Sequence, residues 1–255
     1  MLVSVLASGS KGNTTLVQTK KLNILIDAGM NMKYIKERLN EFNLSPGDID
    51  YIFLTHTHKD HIGALEIFLK KYNPILCLGA KMIDDLEFLN GYDNILILDS
   101  ILELEDIIVR TIKTSHDTSE SFGYIFTSDS SSLVYITDTG YINAKYFNKL
   151  RNKTMYVMES NHDVEMLMHG NRPQWLKQRI LSDKGHLSNQ SSAFYLSKLI
   201  GDNTKYVVLA HLSQDNNTPL IAIDTLKSVL KEYGVDFSNY SVAKQNEKTE
   251  NFNIW

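Results

Sequence analysis

A single cysteine, Cys77, stands in the whole chain, so no internal disulfide can form, which fits a reducing compartment. Its surroundings, Pro74-Ile-Leu-Cys-Leu78, read it as a small buried hydrophobe. Four prolines and 13 glycines in 255 residues leave no Pro/Gly-rich linker, and there is no low-complexity stretch or tandem repeat. One domain over 1–255 is the simplest organisation. No segment reaches the roughly 18 apolar residues of a membrane span. The opening Met1-Leu-Val-Ser-Val-Leu-Ala7 is apolar but short, with no basic residue before it, which predicts a first strand and not a signal peptide. A cytoplasmic protein without membrane contact is expected. Positive charge is scarce too: the formal net charge is −4, and few basic runs interleave with aromatics. That composition speaks against a strongly basic or base-reading nucleic-acid binder, although bound dications would offset local acidity.

Apolar residues make up 43% of the chain, enough for a sizeable core. Short apolar runs bounded by turn residues predict strands over 2–7, 14–19, 22–26, 51–54, 74–78, 95–98, 101–104, 107–114, 122–127, 133–137, 155–158 and 206–210. Helical spacing or capping predicts helices over 32–42, 62–69, 82–89, 143–150, 174–181 and 188–200, and a last one from Thr218-Pro219 to about 233. Many short strands followed by helices in two groups suit an α/β arrangement of two sheets packed face to face with helices outside.

The densest chemistry is Thr55-His-Thr-His-Lys-Asp-His61, directly after the apolar run Tyr51-Ile-Phe-Leu54. Three imidazoles and a carboxylate at one strand end can converge on a point, and that donor set suits divalent transition metals. Four ligands from one short loop seldom fit around one ion, so two metals are expected. Asp60 could cap the helix that follows as well as bind metal.

Further polar clusters close other expected strands. His116 follows 107–114. Asp138, in Ile136-Thr-Asp-Thr-Gly140, either makes a turn or bridges two metals with its two oxygens. Glu159-Ser-Asn-His-Asp163 reads as a solvated loop or as residues that orient metal ligands, with Glu159, Asn161 and His162 the candidates. His186 precedes the helix that starts at Ser188 and could donate to a phosphate oxygen. Ser188 and Asn189 would offer free backbone N–H groups to an anion. His211 follows 206–210 and could close a coordination shell. Six of the eight histidines thus sit at element ends beside the expected site, leaving His162 and His169, the latter for the surface. The loop Ser8-Gly-Ser-Lys-Gly-Asn13 is either a flexible hairpin turn or a phosphate cradle built from Ser8, Ser10, Asn13 and backbone N–H groups. Lys59, Lys184 and Arg172 are additional candidate phosphate contacts.

The order His56, His58, Asp60, His61, His116, Asp138, His211 resembles the metallo-β-lactamase superfamily of binuclear metallohydrolases. Ser8–Asn13, Asp27-Ala-Gly29, Glu159–Asp163, Gly185-His-Leu-Ser-Asn189 and Ala210-His-Leu-Ser213 are similar to its YycJ, VicX or WalJ group, bacterial proteins regarded as 5′-to-3′ DNA exonucleases. The resemblance implies an αββα sandwich of two mixed sheets with the site at one edge. It also implies one metal on His56, His58 and His116, a second on Asp60, His61 and His211, and Asp138 between them. The metals would be Zn, Mn or Fe. A metal-bridged hydroxide would attack a phosphodiester, with Asp60 and His186 as the catalytic residues and His186 serving the leaving oxygen. The implied substrate is nucleic acid, most of all DNA. Two alternatives stay open: hydrolysis of a small ester or thioester on the same core, as in glyoxalase II, and a non-catalytic regulatory partner of a two-component system. The first would need a helical substrate domain that the sequence does not show. The second would have no use for seven ligands.

Overall fold

The computed structural model describes residues 1–255. The first half forms strands β1 (Leu2–Ala7), β2 (Thr14–Gln18), β3 (Asn23–Ile26), β4 (Tyr51–Phe53), β5 (Ile75–Leu78) and β6 (Ile95–Ile97). There follow β7 (Ile101–Glu103), β8 (Ile108–Lys113), β9 (Phe122–Thr127), β10 (Ser132–Ile136), β11 (Met155–Glu159), β12 (Tyr206–Ala210), β13 (Tyr240–Val242) and β14 (Phe252–Asn253). The helices are α1 (Met32–Asn40), α2 (Lys59–Ile62), α3 (Leu65–Tyr72), α4 (Phe147–Leu150), α5 (Val164–His169), α6 (Gln174–Leu181), α7 (Asn189–Leu199) and α8 (Pro219–Glu232). Two seven-stranded sheets result, ordered β14-β1-β2-β3-β4-β5-β6 and β13-β12-β11-β10-β9-β8-β7. Each is mixed: β3 to β6 are parallel in one, β10 to β13 in the other. No helix is long and apolar enough to cross a membrane.

Facing side chains from both sheets build the main core, which also takes in Ile35 and Leu39 of α1 and Phe68 of α3. Phe53 meets the edge of Tyr124 at 5.5 Å and of Phe126 at 5.4 Å between ring centres. Edge-on aromatic pairs add about 0.5–1.5 kcal/mol each beyond their buried area. A second core lies between the other face of the second sheet and α7 and α8, with Tyr156, Leu196 and Leu226 buried in it. This is the αββα order, and it matters for function because parallel strands deliver their C-terminal ends to one edge. β8 runs antiparallel to β9, and β9 antiparallel to β10. The C-terminal end of β8 therefore arrives at the same edge as those of β10, β11 and β12.

Three local differences from the sequence reading have physical causes. The helix expected over 62–69 begins earlier and breaks at Gly63. There the backbone passes so close to Gly29 that a Cβ at 63 would sit 2.3 Å from the Gly29 carbonyl oxygen, and Ala64 N–H donates to Ala28 O at 2.8 Å instead of continuing the helix. Residue 58, not Asp60, is the cap position of that short helix. The segment 80–89 forms two 3₁₀ turns in place of an α-helix. β13, β14 and α5 were not expected from sequence: the strands have three and two residues, and α5 has six.

The last strand returns to the edge of β1, and the segment before it braces the first loop. Ser8 N–H donates to Lys244 O at 3.0 Å, Lys11 N–H to Gln245 Oε1 at 2.9 Å, and Gln245 Nε2 to Gly12 O at 3.1 Å.

Candidate metal centre

Each strand end that reaches the common edge hands over one or more side chains. Asp27 follows β3, His56 to His61 follow β4, His116 follows β8, Asp138 follows β10, Glu159 ends β11 and His211 follows β12. Three of these residues, Asp27, Asp138 and His211, have φ of 59°, 54° and 57°. The left-handed region is uncommon for residues with a Cβ; such backbone costs about 1–3 kcal/mol and persists where the surroundings over-determine it. Here it turns each chain sharply at the end of its strand, so that the side chain faces the centre.

The structure brings all seven sequence-identified ligand candidates together. Ligand atoms of His56, His58 and His116 lie within 4.8 Å of one another, as do those of Asp60, His61 and His211. Asp138 sits between the two sets. Its Oδ2 is 3.3 Å from His61 Nε2, and its Oδ1 is 3.8 Å from His116 Nε2 and 3.4 Å from His211 Nδ1. A further set joins Asp138 and His211 with Glu159 and His186. His56 Nε2, Asp138 Oδ2 and His211 Nε2 are buried without a hydrogen-bond partner. Buried polar atoms left unpaired are costly, and three that belong to one cluster of nitrogen and oxygen donors fit a divalent metal centre.

Around the ligands, hydrogen bonds fix ring orientation. Asp27 is fully buried and accepts from Thr55 N–H and Thr55 Oγ1, both at 2.8 Å, and from His61 Nδ1 at 2.7 Å. His61 is thereby left with Nε2 toward Asp60 and Asp138. Thr55 Oγ1 also lies 3.1 Å from His56 Nδ1. Glu159, likewise fully buried, accepts from His186 Nδ1 at 2.7 Å and His211 Nδ1 at 3.1 Å. Its other oxygen takes the N–H groups of Thr139 and Leu187 at 3.0 and 3.1 Å. Asn161 Nδ2 donates to His211 O at 2.9 Å. His162 is buried, but neither of its ring nitrogens has a partner, so it orients no ligand through a hydrogen bond. Asp27 and Thr55 are contributors that sequence reasoning did not single out; the Asp-Ala-Gly motif was the available signal. Replacing Asp27 with alanine strands three donors and is expected to cost about 3–5 kcal/mol, the range for removing one partner of a buried charged pair. A lower urea midpoint would show it, and Asp27→Asn, which keeps one acceptor oxygen, should lose less.

Charge balance inside the cluster is tight. Burial would lower His211, yet Asp138, Asp60 and Glu159 lift it to about 10. His61 is held well above its ordinary value, against burial, by Asp27, Asp138 and Asp60. Burial would raise Asp138, but His211 and His61 keep it well below the usual carboxylate range. Burial likewise opposes the ionised Glu159, which His186 and His211 hold at about 2. His56 goes the other way: burial, then repulsion from His61, drives it well down. Neutral imidazole is the form that binds metal, and the carboxylates that hold protons on His61 and His211 would hold a dication in their stead.

The cleft over this centre has a volume of about 230 Å³ and is walled by Ser10, Arg172, Leu176, Arg179, Ile180 and Ser213 among others. Of the phosphate contacts expected from sequence, Ser10 and Arg172 are in it. The others are corrected by their partners. Ser8 Oγ accepts from His211 N–H at 2.7 Å, so Ser8 positions that residue. Asn13 Oδ1 accepts from Gly9 N–H at 2.8 Å and its Nδ2 lies 3.0 Å from His61 Nε2, which makes it a staple between loop and centre. Three of the loop's backbone donors are committed too: Gly12 N–H to Gly9 O and Asn13 N–H to Asp60 O, Lys11 N–H to Gln245. Ser188 caps its own helix by accepting from Ser191 N–H at 3.1 Å, and Asn189 N–H donates to His162 O. Asn189 is buried, bonded to Ser160 and Asn217. Neither Ser188 nor Asn189 walls the cleft. Lys59 and Lys184 are exposed and do not wall the cleft.

Residues 7–211 match the metallo-beta-lactamase superfamily. The chain is 37% identical over 251 residues to the exodeoxyribonuclease WalJ of Streptococcus pneumoniae serotype 2, spanning 94% of this chain and 93% of that protein. It is also 37% identical over 236 residues to the exodeoxyribonuclease YycJ of Bacillus anthracis, spanning 91% and 89%. Among solved structures, the metallo-beta-lactamase fold protein YhfI from Bacillus subtilis shares the fold, with a TM-score of 0.71 over 97% of this chain and 98% of that one at 17% identity.

Proposed function

The chain belongs to the metallo-beta-lactamase superfamily, and on that footing we propose that it is a binuclear metal-dependent nuclease, a 5′-to-3′ DNA exonuclease working in the cytoplasm. The observation that carries this reading is the placement of Asp138 within 3.3–3.8 Å of histidines from both ligand sets, in a chain similar over nearly its whole length to two exodeoxyribonucleases. His56, His58 and His116 would hold one divalent ion, Asp60, His61 and His211 the other, with Asp138 shared; Zn and Mn suit the donors, and Fe would also fit. When bound, such ions supply an acidified water and neutralise charge on the phosphate oxygens.

The chain's own groups do the rest. Glu159 keeps the proton of His186 on Nδ1, leaving Nε2 free at the cleft. In its protonated form the ring carries a second proton on Nε2, and from there His186 would give that proton, as a general acid, to the oxygen that departs from phosphorus. Arg172 and Arg179 wall the cleft and present guanidinium forks suited to the flanking phosphates, while Ser10 and Ser213 add hydroxyl donors. The ion pairs of Arg172 with Asp215 and of Arg179 with Asp117 leave the remaining N–H groups of each guanidinium to meet phosphate oxygens.

A direct test follows one DNA strand labelled at the 5′ end and the same strand labelled at the 3′ end, with an RNA strand of the same sequence alongside. Metal-loaded protein is expected to release the 5′ label at once as short product, while the 3′-labelled strand shortens in a ladder. A chelator should stop both. Intact strands in every lane at low salt would sink the proposal and direct attention to small esters.

A further inference from the structure

The cleft over the centre continues past Ser213. Leu212 and Ser213 wall it and also wall a second pocket, of about 340 Å³, which Ser8, Pro219, Val242 and Ala243 help to line. The two spaces join at a candidate metal ligand. Leu212 follows His211 directly, and Ser8 Oγ accepts the His211 N–H at 2.7 Å. The ring of His186 is centred 5.4 Å from that of His211, so the pocket begins beside the group that serves the departing oxygen. Its volume lies at the lower end of the roughly 300–1,000 Å³ of sites that bury a small organic ligand.

Most polar groups of this pocket are already engaged. Lys244 Nζ is paired with Glu247 at 2.6 Å. The Gln245 amide is used at both atoms, Oε1 by Lys11 N–H and Nε2 by Gly12 O. Asn217 Nδ2 donates to Ser160 O and Asn161 O, and its Oδ1 accepts from Thr218 N–H. Thr218 Oγ1 caps α8 by accepting from Ile221 N–H. The one cation that lines the pocket is thus neutralised, which makes it a poor seat for a phosphate. What remains is the apolar surface of Leu212, Pro219, Val242 and Ala243, with the Ser213 hydroxyl and the exposed Gln214 amide. Ser213 Oγ accepts from Asn216 N–H at 3.2 Å, so its own proton is left to donate. An uncharged ring with apolar faces and a polar edge matches that lining.

We propose that this pocket seats the terminal nucleoside of the DNA, the unit that leaves when the bond beside it is cut. This rests on the nuclease reading and adds to it where the released unit is held. Val242, Ala243 and Pro219 cover the apolar faces of the base and sugar, while Ser213 and Gln214 meet the polar edge of the base. A side-chain amide carries both donors and an acceptor, so Gln214 can answer the edge of any of the four bases. A terminal unit that lacks its base has nothing to bury there.

The test removes the base, the seat, or both. Val242→Leu adds a methylene to the pocket lining, and Gln214→Ala, in an exposed loop, removes the amide with little risk to folding. On the DNA form that the metal-loaded wild type cuts fastest, Val242→Leu is expected to raise KM about tenfold for an ordinary terminal nucleoside, the lower end of what one methylene is worth in an apolar pocket. Gln214→Ala should raise it about threefold, as the loss of one hydrogen bond does. With an abasic terminal unit on the same DNA, the wild type and both variants should share one KM. Binding is read apart from cleavage by saturation-transfer NMR with 2′-deoxyadenosine: the metal-loaded wild type should give base-proton signals, and Val242→Leu should lose most of them. A KM that stays at the wild-type value in both variants, or rises equally for ordinary and abasic ends, together with equal deoxyadenosine signals, would overturn the seat and leave the nuclease reading standing. If the wild type cuts no DNA, deoxyadenosine signals that Val242→Leu loses would support the seat and sink the nuclease, and their absence from the wild type would sink both.

Discussion

Asp138→Asn is expected to leave a folded protein that cleaves DNA on the order of a thousandfold more slowly or worse and retains neither metal. The substitution is close to isosteric, and asparagine is one of the few residues that accept a left-handed backbone, which residue 138 requires at φ 54°. What changes is the charge. The amide cannot supply two anionic oxygens to histidines from both ligand sets, which it meets at 3.3 Å through Oδ2 and at 3.4 and 3.8 Å through Oδ1. Metal analysis of the purified variant, with the circular dichroism spectrum as the check on folding, separates loss of the centre from loss of the fold. A variant that keeps both ions and most of its activity would show that Asp138 is only a turn residue.

His186→Ala should behave differently, with kcat down by about 10²–10⁴, the usual contribution of a positioned general acid, and metal content near that of the wild type. The reason is its place: it is partly exposed at the cleft, 3.6 Å from Asp138 through Nδ1, with that nitrogen already given to Glu159. A phosphodiester with a p-nitrophenolate leaving group needs no proton on departure, so the variant should cleave it almost as well as the wild type does. An equal loss on both substrates would assign His186 to metal holding instead. Glu159→Gln isolates the orienting role. It turns an acceptor toward His186 and His211 into a mixed amide, and a loss of about 10–100-fold is the common cost of removing such a partner.

The strand runs and the site were legible for different reasons. Apolar runs such as 51–54 and 206–210 mark buried parallel strands, and the polar residues that follow them had to lie at strand ends. His116, Asp138 and His211 could be picked out because a metal centre gives a use to residues that turns and loops do not need. The orienting residues were harder. Asp27 and Thr55 touch His61 only because β3 and β4 lie side by side, a pairing no local pattern states. The first loop, open in sequence between a hairpin turn and a phosphate cradle, could not be decided for the same reason in reverse. Whether a backbone N–H is free depends on what arrives from far along the chain, and the partner of Lys11 is Gln245, 234 positions away. α5 lies within a stretch too short to display a helical period, and Gly63 looked like an ordinary helix residue until the neighbouring backbone at Gly29 was in place.

The bracing of the first loop by residues 244 and 245 also sets an order of events in the cell. Synthesis runs from the N-terminus, and elements fold as they emerge. Every histidine and carboxylate of the centre leaves the ribosome before Gln245 does. An interrupted product that stops short of that residue carries the full ligand set, yet lacks the clasp that seats Ser10 at the cleft. Residues 244 and 245 therefore tie the arrangement of a loop near the N-terminus to chain made more than two hundred positions later.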